Sequence, residues 1–233
     1  MARDLPHGRP EGSAEKRMIS AGAAETFIRA NTTLAAPPHV PEIRLHLADE
    51  AHDLWQRTEV ELQELGLPPP FWAFAWAGGQ GLARHLLDHP EYVRGKRVLD
   101  FATGSGLVAI AAAMAGASEV LAADTDPFSA SACRLNMAAN GVRFDIAGHD
   151  VVGDKVEADV VLAGDVFYDK ALAARIIPWF QALAGRRIAV LVGDPGRAYL
   201  PRECLRRLAE YEVPVTHALE DAEVKRTIVW QFA

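Results

Sequence analysis

The chain has 233 residues, and its 31 Asp and Glu against 24 Lys and Arg give a formal net charge of −7. Half of the residues are apolar and 24% are charged, which is the ordinary balance of a globular protein with one large domain or two small ones. The acidic balance argues against a general nucleic-acid binder, because such a protein needs a basic surface to neutralise phosphates.

Residues 19–90 are expected to form an extension that packs on the main domain, which spans 91–233. Residues 1–18 before it contain no apolar stretch, so they are not a secretory signal and are expected to be a disordered tail. The predicted elements of the extension are a helix over 19–36, a strand over Glu42–Ala48, and over Glu50–Leu65 either a helix that Gly66 ends or part of a hairpin strand.

An aromatic segment bounded by prolines follows at Pro68–Gly81 (PPPFWAFAWAGGQG), and we expect it to end in a glycine turn. The leucine spacing after it predicts a helix over Gln80–His89. Core packing is one expectation for Trp72 and Phe74 of this segment.

From residue 97 onward, predicted strands and helices alternate. The strands are Arg97–Phe101, Glu119–Asp124, Arg143–Ala147, Ala158–Gly164 and Arg186–Val192, and the helices are Ser105–Ala115, Pro127–Asn140 and Lys170–Leu183. The last third predicts a helix near Arg202–Glu210 and strands near Val213–Ala218 and Lys225–Phe232. This alternation predicts an α/β fold with a parallel sheet covered on both faces, and the closely spaced last strands predict an antiparallel pair at one edge.

The stretch Val98–Gly106 (VLDFATGSG) predicts a buried strand that runs through a glycine turn into a helix. Such a turn lets the backbone approach a ligand closely, and the N–H groups at the helix start favour a carboxylate or another anion. Asp124 ends the next strand, where a carboxylate can bind both ribose hydroxyls. Together these features predict a nucleoside-containing cofactor at the carboxyl edge of the sheet.

Two cofactors compete for this turn. Gly104–Ala109 satisfies the GxGxxG/A pattern, so a nicotinamide dinucleotide is one candidate. Asp100 lies just upstream, where its charge opposes a pyrophosphate but suits an ammonium group. The turn also follows a long N-terminal section. S-adenosylmethionine, which carries a sulfonium and an α-ammonium, is therefore favoured, while a generic strand–helix turn is the plain alternative.

Several motifs resemble those of a known enzyme family. LDFATGSG, AADTDP and GDVFYD look like the seven-stranded, class I S-adenosylmethionine-dependent methyltransferases. PEIRLHLA, FWAFAWAGGQGLARHLLDHPEYVRGK, GDVFYD and GDPGR resemble the electron-transfer-flavoprotein β-subunit lysine methyltransferases more closely, from about residue 40 to the end. The resemblance implies a Rossmann-like seven-stranded sheet, mostly parallel, with an antiparallel C-terminal strand.

The resemblance also implies roles for residues on the cofactor side. Asp100 would bind the methionine ammonium above a turn shaped by Gly104, Ser105 and Gly106. Asp124 would bind ribose or, as the plain alternative, cap a helix, although Asp126 directly before Pro127 is the better cap. Asp150 matches the position that holds the adenine amino group. Trp76, which precedes GGQ, would stack on the cofactor or enclose the acceptor ammonium by a cation–π contact.

Asp165 and Tyr168 of GDVFYD are the candidate catalytic residues. They follow the fourth parallel strand, where related enzymes for planar nitrogens carry Asn/Asp-Pro-Pro-Tyr. Without the prolines, a carboxylate and a phenol suit a flexible cationic lysine, and we expect Asp165 to attract and align its ammonium group. The alternative is that Asp165 caps a helix and Tyr168 packs in the core. Asp194–Arg197 would form part of the site rim with no assigned role. Three histidines form no recognisable ligand spacing, and we interpret them as surface or core residues: His46, His85 and His149.

The combined prediction is an S-adenosylmethionine-dependent protein-lysine methyltransferase that needs no metal. The resemblance implies the flavoprotein β subunit as protein partner, with no nucleic-acid or membrane partner. Alternatives are a ribosomal-protein methyltransferase, a NAD-dependent oxidoreductase and a cofactor-binding protein without turnover. Cys133 and Cys204 show no CxxC or zinc spacing, which predicts free thiols in a reducing compartment: the cytoplasm, or the mitochondrial matrix in a eukaryote.

Overall fold

The computed structural model of the chain describes residues 20–48, 69–215 and 223–233. The predicted tail over 1–18 and the segment over 50–65 lie outside these residues. Helix α1 (Ala21–Asn31) begins after Ser20, whose hydroxyl oxygen accepts from the Ala23 N–H. The helix is shorter than expected, because strand β1 (Thr33–Ala35) follows and pairs antiparallel with β2 (Leu45–Leu47), which confirms the strand predicted there.

Seven strands form the main sheet, in the order β5-β4-β3-β6-β7-β9-β8. Their bounds are β3 (Arg97–Phe101), β4 (Glu119–Ala123), β5 (Asp145–Ala147), β6 (Val160–Gly164), β7 (Ala189–Asp194), β8 (Leu205–Pro214) and β9 (Val224–Phe232). β9 runs antiparallel to both β7 and β8, and the other neighbouring strands described in this sheet pair in parallel. The predicted fold class, a mostly parallel sheet with an antiparallel C-terminal strand, is confirmed.

Helices cover both faces of this sheet. Their bounds are α2 (Ala77–Asp88), α3 (Leu107–Met114), α4 (Pro127–Asn140) and α5 (Lys170–Gly185). Alternate residues of the parallel strands pack against α2 and α3 on one face and against α5 on the other, as period-two side chains require. A third apolar cluster joins α1 and α4 around Trp72, which stacks on Phe128 with 5.6 Å between ring centroids. Core packing of Trp72 is confirmed.

The N-terminal segment joins the same core as the sheet. Val40, Ile43 and Leu45 are fully buried in the cluster that contains α2 and α3. This shared core does not mark a division at residue 90, and the domain boundary expected there stays a prediction.

The helix predicted near Arg202–Glu210 is wrong. A short 3-10 turn (Arg202–Cys204) leads into β8, which pairs with β9 along its length. The charged residues of this segment favour a helix locally, but an edge strand also leaves them exposed, and pairing with β9 supplies the backbone hydrogen bonds. The strand expected at Val213–Ala218 accordingly begins earlier, at Leu205, and residues 216–222 lie outside the description.

The glycine turn expected at the end of Pro68–Gly81 is also wrong, because α2 begins at Ala77 and contains the glycines. They serve close packing against the ends of β6 and β7. A Cβ on Gly164 would lie 2.8 Å from the Cα of Gly79, and a Cβ on Gly193 would lie 2.8 Å from the Cβ of Leu82. The helix backbone therefore lies almost directly on the strand ends.

The uncharged run Phe101–Ser118 is divided by a turn, so its helix α3 has only eight residues. Across the described ranges, no helix has the length and apolar character needed to cross a bilayer. Cys133 and Cys204 are free thiols, as predicted.

Candidate active site

A cavity of about 410 Å³ opens at the carboxyl ends of β3, β4 and β6. It lies where the strand order reverses between β3 and β6, the usual ligand site of open α/β sheets. Every predicted site residue except Gly106 lines it: Trp76, Asp100, Gly104, Ser105, Asp124, Asp150, Asp165 and Tyr168. The fold therefore gathers the cofactor candidates and the catalytic candidates around one space.

Asp100 is the second-last residue of β3, lines the cavity and is 1% exposed. Its Oδ2 accepts from Thr103 Oγ1 at 2.5 Å and from the Ala109 N–H at 3.0 Å. Burial nevertheless raises the pKa of Asp100 to about 7. A cationic group that entered the cavity would favour the ionised form of this carboxyl.

The backbone after Asp100 bends through three left-handed residues. Ala102, Gly104 and Gly106 have φ values of 54°, 53° and 82°. Gly106 caps α3 rather than lining the cavity, and a Cβ there would lie 3.0 Å from the Sγ of the buried Cys133. The turn thus presents backbone to the cavity, as the glycine pattern predicts.

Asp124 follows β4 and binds the turn from the other side. Its Oδ2 accepts from the Gly104 N–H at 2.8 Å, and its Oδ1 accepts from the Asp126 N–H at 2.9 Å. Asp126 caps α4 through the Phe128 N–H, which confirms the predicted cap. Burial raises the pKa of Asp126 to about 7, and this residue also lines the cavity.

Asp150 lies at the exposed end of the cavity. Its Oδ2 forms an ion pair with Arg175, and its Oδ1 accepts from the Val152 N–H at 3.0 Å. The hydrogen bond from Arg175 lowers the pKa of this carboxyl. Arg175 and His149 line the same end of the cavity. The sequence did not identify either residue as part of the site. Arg175 lies on helix α5, which places it at this edge of the sheet.

Aromatic side chains form one wall of the cavity. Trp76 precedes α2, and its Nε1 donates to the Phe71 carbonyl at 3.0 Å. Phe71 packs against Trp76 and Tyr168, with ring centroids 5.9 and 5.4 Å apart. Phe74 is buried and also lines the cavity. Tyr168 is 48% exposed, so it stands at the mouth rather than in the core.

Asp165 follows β6 in a left-handed conformation (φ 57°) and is 7% exposed. Its Oδ2 accepts from the Gly78 N–H and, at 3.2 Å, from the Gly79 N–H. It therefore caps the start of α2, whereas Asp169 caps the helix that follows it in sequence. The Oδ1 of Asp165 accepts from Nε and Nη2 of Arg197, at 2.8 and 2.6 Å.

Arg197 enters the site from the loop after β7. Asp194 holds this loop, because its Oδ1 accepts from the N–H groups of Gly196 and Arg197 at 2.6 and 2.7 Å. The guanidinium lies 5.9 Å from the centre of the Trp76 ring. The sequence motif GDPGR marked the loop, but its arginine was not recognised as a partner of Asp165.

Comparisons with known proteins agree with this geometry. The family model described as "Ribosomal protein L11 methyltransferase (PrmA)" matches residues 85–167. The electron transfer flavoprotein beta subunit lysine methyltransferase of Xenopus laevis is 38% identical over 231 residues, which cover 96% of this chain and 93% of that protein. The Homo sapiens protein of the same name is 35% identical over 89% of this chain and 81% of its own length. The chain belongs to the electron transfer flavoprotein beta subunit lysine methyltransferase family.

Two further similarities are narrower. The ribosomal protein L11 methyltransferase of Symbiobacterium thermophilum is 40% identical over 104 residues, or 41% of this chain and 33% of that protein. The solved structure of SMU.776 complexed with SAH superposes with a TM-score of 0.50 at 13% identity, covering 81% of this chain and 53% of that one. The structural likeness shows the fold alone.

Membership of the lysine methyltransferase family establishes an enzyme that uses S-adenosylmethionine, as predicted. The residues of the cavity fit that cofactor. A buried carboxyl with a raised pKa suits an ammonium group, a backbone turn suits a carboxylate, and Asp124 stands where ribose hydroxyls are held in such sheets. The oxidoreductase and the protein without turnover are therefore set aside.

Of the three histidines considered from the sequence, His46 and His85 do not line the cavity. His85 is buried in the core, where burial lowers its pKa to about 4, and its Nδ1 lies 3.0 Å from the Tyr211 hydroxyl. His46 lies beside β1, and only His149 lines the cavity. Among the described residues, no cluster of His, Cys, Asp and Glu has the arrangement of a metal site.

Proposed function

We propose that this enzyme methylates lysine side chains of an electron transfer flavoprotein β subunit. The observation that carries the proposal is the extent of the similarity to the Xenopus laevis relative, which covers 96% of the chain. That span includes the part of the cavity that we call the acceptor half. Its lining residues are Phe71, Phe74, Trp76, Asp165, Tyr168 and Arg197.

A ribosomal-protein substrate is the second candidate, supported by the matching family model. That match covers residues 85–167 and therefore ends before Tyr168. It includes the cofactor half of the cavity (Asp100, the glycine turn, Asp124 and Asp150) and Asp165, but leaves out Phe71, Trp76, Tyr168 and Arg197. Most of the residues that face the acceptor therefore lie outside the shared part.

The cofactor half supplies the binding groups that we assign to S-adenosylmethionine. Asp100 would face the amino group, and the turn of Gly104, Ser105 and Gly106 would face the carboxylate. Asp124 would bind ribose. We assign Asp150 to the adenine amino group, from which its carboxylate would accept a hydrogen bond while it keeps its ion pair with Arg175.

The acceptor half prepares a lysine for attack. When bound, S-adenosylmethionine would supply a sulfonium methyl group, whose carbon bonds to the lone pair of a neutral amine as its bond to sulfur breaks, with S-adenosylhomocysteine (SAH) as the leaving group. A free lysine has a pKa of about 10.4, so the site must favour loss of its proton. The wall of Phe71, Phe74 and Trp76 excludes water, and desolvation disfavours the ammonium form. Alignment of the amine in this confined space supplies further acceleration.

Asp165 and Tyr168 would align the acceptor at the mouth. Burial raises the pKa of Tyr168, so its phenol stays protonated and can both donate and accept a hydrogen bond. Gly78, Gly79 and Arg197 donate hydrogen bonds to Asp165 and so hold its carboxylate in a fixed orientation beside the acceptor. The expected attraction of a charged lysine to Asp165 stays a prediction.

The test is to incubate the purified enzyme and labelled S-adenosylmethionine separately with an electron transfer flavoprotein β subunit and with ribosomal protein L11. We expect label in the flavoprotein subunit, located on lysine by mass spectrometry. Label only in L11 would replace the proposed substrate with the second candidate. Label in neither, with SAH binding demonstrated by calorimetry, would overturn both substrates.

A matched pair of tyrosines tests the acceptor half. Tyr168→Phe removes a hydroxyl at the cavity mouth and should slow methyl transfer by roughly tenfold, the equivalent of one hydrogen bond of about 1.4 kcal/mol. SAH affinity, measured by calorimetry, should be unchanged. Tyr199→Phe is the control, because Tyr199 is similarly exposed (40%) but does not line the cavity. Equal rates for the two variants would remove the Tyr168 hydroxyl from the acceptor site.

A further inference from the structure

The ion pair of Asp165 and Arg197 occupies the place where an acceptor ammonium would seek a negative charge. Arg197 donates two hydrogen bonds to Oδ1, while the N–H groups of Gly78 and Gly79 donate to Oδ2. Each carboxylate oxygen therefore has two donors already. A lysine ammonium could bind Asp165 only by displacing one of them.

The surrounding structure holds this arrangement in place. The two glycine N–H groups belong to the first turn of α2, whose positive end adds to the compensation of the carboxylate. Asp194 fixes the backbone of Arg197, and the Trp76 ring lies 5.9 Å from the guanidinium. The charge of Asp165 is thus compensated from two directions by elements distant in sequence.

Other charged groups lie around this pair. Asp194, the last residue of β7, is buried, which raises its pKa. Arg202, beyond the loop that follows, is exposed. Tyr168 and the exposed Asp169 follow Asp165. The groups that line the cofactor end of the cavity are Asp100, Asp124, Asp126, His149, Asp150 and Arg175. Asp150 and Arg175 pair with each other, and Asp100 is placed to pair with the cofactor's ammonium.

We propose that Arg197 is a positioning residue that compensates the negative charge of Asp165. The acceptor half of the cavity therefore binds the substrate lysine as the neutral amine. The aromatic wall removes water from the amine, and Arg197 removes the uncompensated negative charge that would otherwise retain an ammonium. The lysine releases its proton to solvent as it enters. This inference rests on the proposed lysine methyltransfer, and it gives Arg197 a part in making the nucleophile.

The pH dependence of methyl transfer tests the inference. The rate of the wild-type enzyme rises with pH as the bound lysine loses its proton. In Arg197→Met, Asp165 loses its cationic partner and keeps the N–H donors of Gly78 and Gly79, so it favours the ammonium form of the lysine. The rise should therefore move by about one pH unit or more to higher pH. SAH affinity should be unchanged. A rate lowered equally at every pH, with no shift, would overturn the proposal.

Three further variants separate charge from packing. Arg197→Lys keeps the positive charge and should keep the wild-type pH position even where the rate falls. Asp165→Asn with Arg197→Met removes both charges and should move the rise back towards the wild-type position. Arg202→Met removes an exposed charge near the same loop and should cause no shift. A shift of the same size in Arg202→Met would contradict a specific role for Arg197.

A second measurement is independent of the protein substrate. n-Butylamine is titrated into the enzyme–SAH complex at neutral pH in two buffers of different ionisation enthalpy, which gives the protons released per amine bound. We expect close to one proton for the wild type and close to none for Arg197→Met. Binding without proton release by the wild type, or no binding at all, would overturn the inference. Proton release without methylation of the flavoprotein subunit would instead reject the proposed substrate alone.

Discussion

Asp100 is a carboxyl whose buried position is useful only when a cation is present. Its two donors, Thr103 and the Ala109 N–H, do not offset the cost of burial, and its pKa is raised to about 7. By linkage, the protonated form stabilises the ligand-free fold at low pH, and this contribution is lost as pH rises through about 7. A ligand ammonium reverses the preference, because it binds the ionised form.

The first prediction follows from that reversal. The affinity of the wild-type enzyme for SAH should increase as pH rises through about 7, since Asp100 must release its proton to face the ammonium. Asp100→Asn should bind SAH roughly tenfold or more weakly above that pH, from loss of a charge-assisted hydrogen bond of about 1.5–3 kcal/mol, and with a flatter pH dependence. Calorimetry over a pH series measures both effects.

Asp159→Asn is the control for this experiment. Asp159 is an acidic residue that pairs with Arg97 at the start of β3, away from the cavity. Its substitution should leave SAH affinity unchanged. An Asp100→Asn variant with wild-type affinity and pH dependence would show that Asp100 does not face the ligand.

At the scale of one element, α2 explains why the sequence around it is rich in glycine. Its first turn lies on the ends of β6 and β7, and it carries the N–H groups that hold Asp165. A larger residue at the contact would lift the helix from the sheet. Because the same turn borders the aromatic wall, such a shift would also change the acceptor half of the cavity.

Two adjacent glycines of α2 give a matched test of this packing. A Cβ on Gly78 would overlap the Gly193 carbonyl oxygen and lie 2.5 Å from Oδ2 of Asp165, whereas a Cβ on Gly79 would meet Leu107 at 3.8 Å. Gly78→Ala should lower the free energy of unfolding by about 1–3 kcal/mol. Gly79→Ala should be neutral or raise it by up to about 1 kcal/mol through helix propensity. Urea unfolding that ranks the two variants in the opposite order would contradict the close packing.

At the scale of the whole molecule, Asn136 of α4 joins the N-terminal hairpin to the cofactor turn. This fully buried side chain accepts from the His46 N–H and donates to the Ser105 carbonyl, both at 2.8 Å. Asn140, one turn later on the same helix, binds the Arg44 backbone and the Asn136 carbonyl. Strand β2 and the glycine turn are therefore coupled through one amide.

The coupling predicts different results for these two asparagines. Asn136→Ala removes the partner of the buried Ser105 carbonyl, at a cost of about 1–3 kcal/mol, and that of the partly buried His46 N–H. It should weaken SAH binding by roughly tenfold. Asn140→Ala should reduce stability without changing SAH affinity. Thermal unfolding and calorimetry measure the two quantities. Equal SAH affinity in both variants would show that the hairpin and the turn are independent.

Elements with strong local signals could be predicted closely from the sequence. Strand Arg97–Phe101 and helix Pro127–Asn140 have the predicted bounds, because a buried apolar run defines the first, while Asp126, Pro127 and the left-handed Gly141 mark the ends of the second. Local patterns failed at β8, whose charged residues favour a helix, and at the first turn of α2, whose glycines suggest a turn. The helix predicted over Gln80–His89 is present in α2 but begins earlier, at Ala77. Pairing with β9 and packing on β6 and β7 decided those elements.

The cofactor half of the site was determined by the sequence itself, because the turn of Gly104 and the acid Asp124 lie at the ends of consecutive strands and have recurring spacing. The acceptor half depended on the tertiary structure. Asp165 and Arg197 follow β6 and β7, which pair in parallel, so their loops meet at the same sheet edge and their charges compensate. A motif marks each residue of that pair separately, but only the sheet places a guanidinium beside a carboxylate, because the contact joins segments that no local periodicity connects.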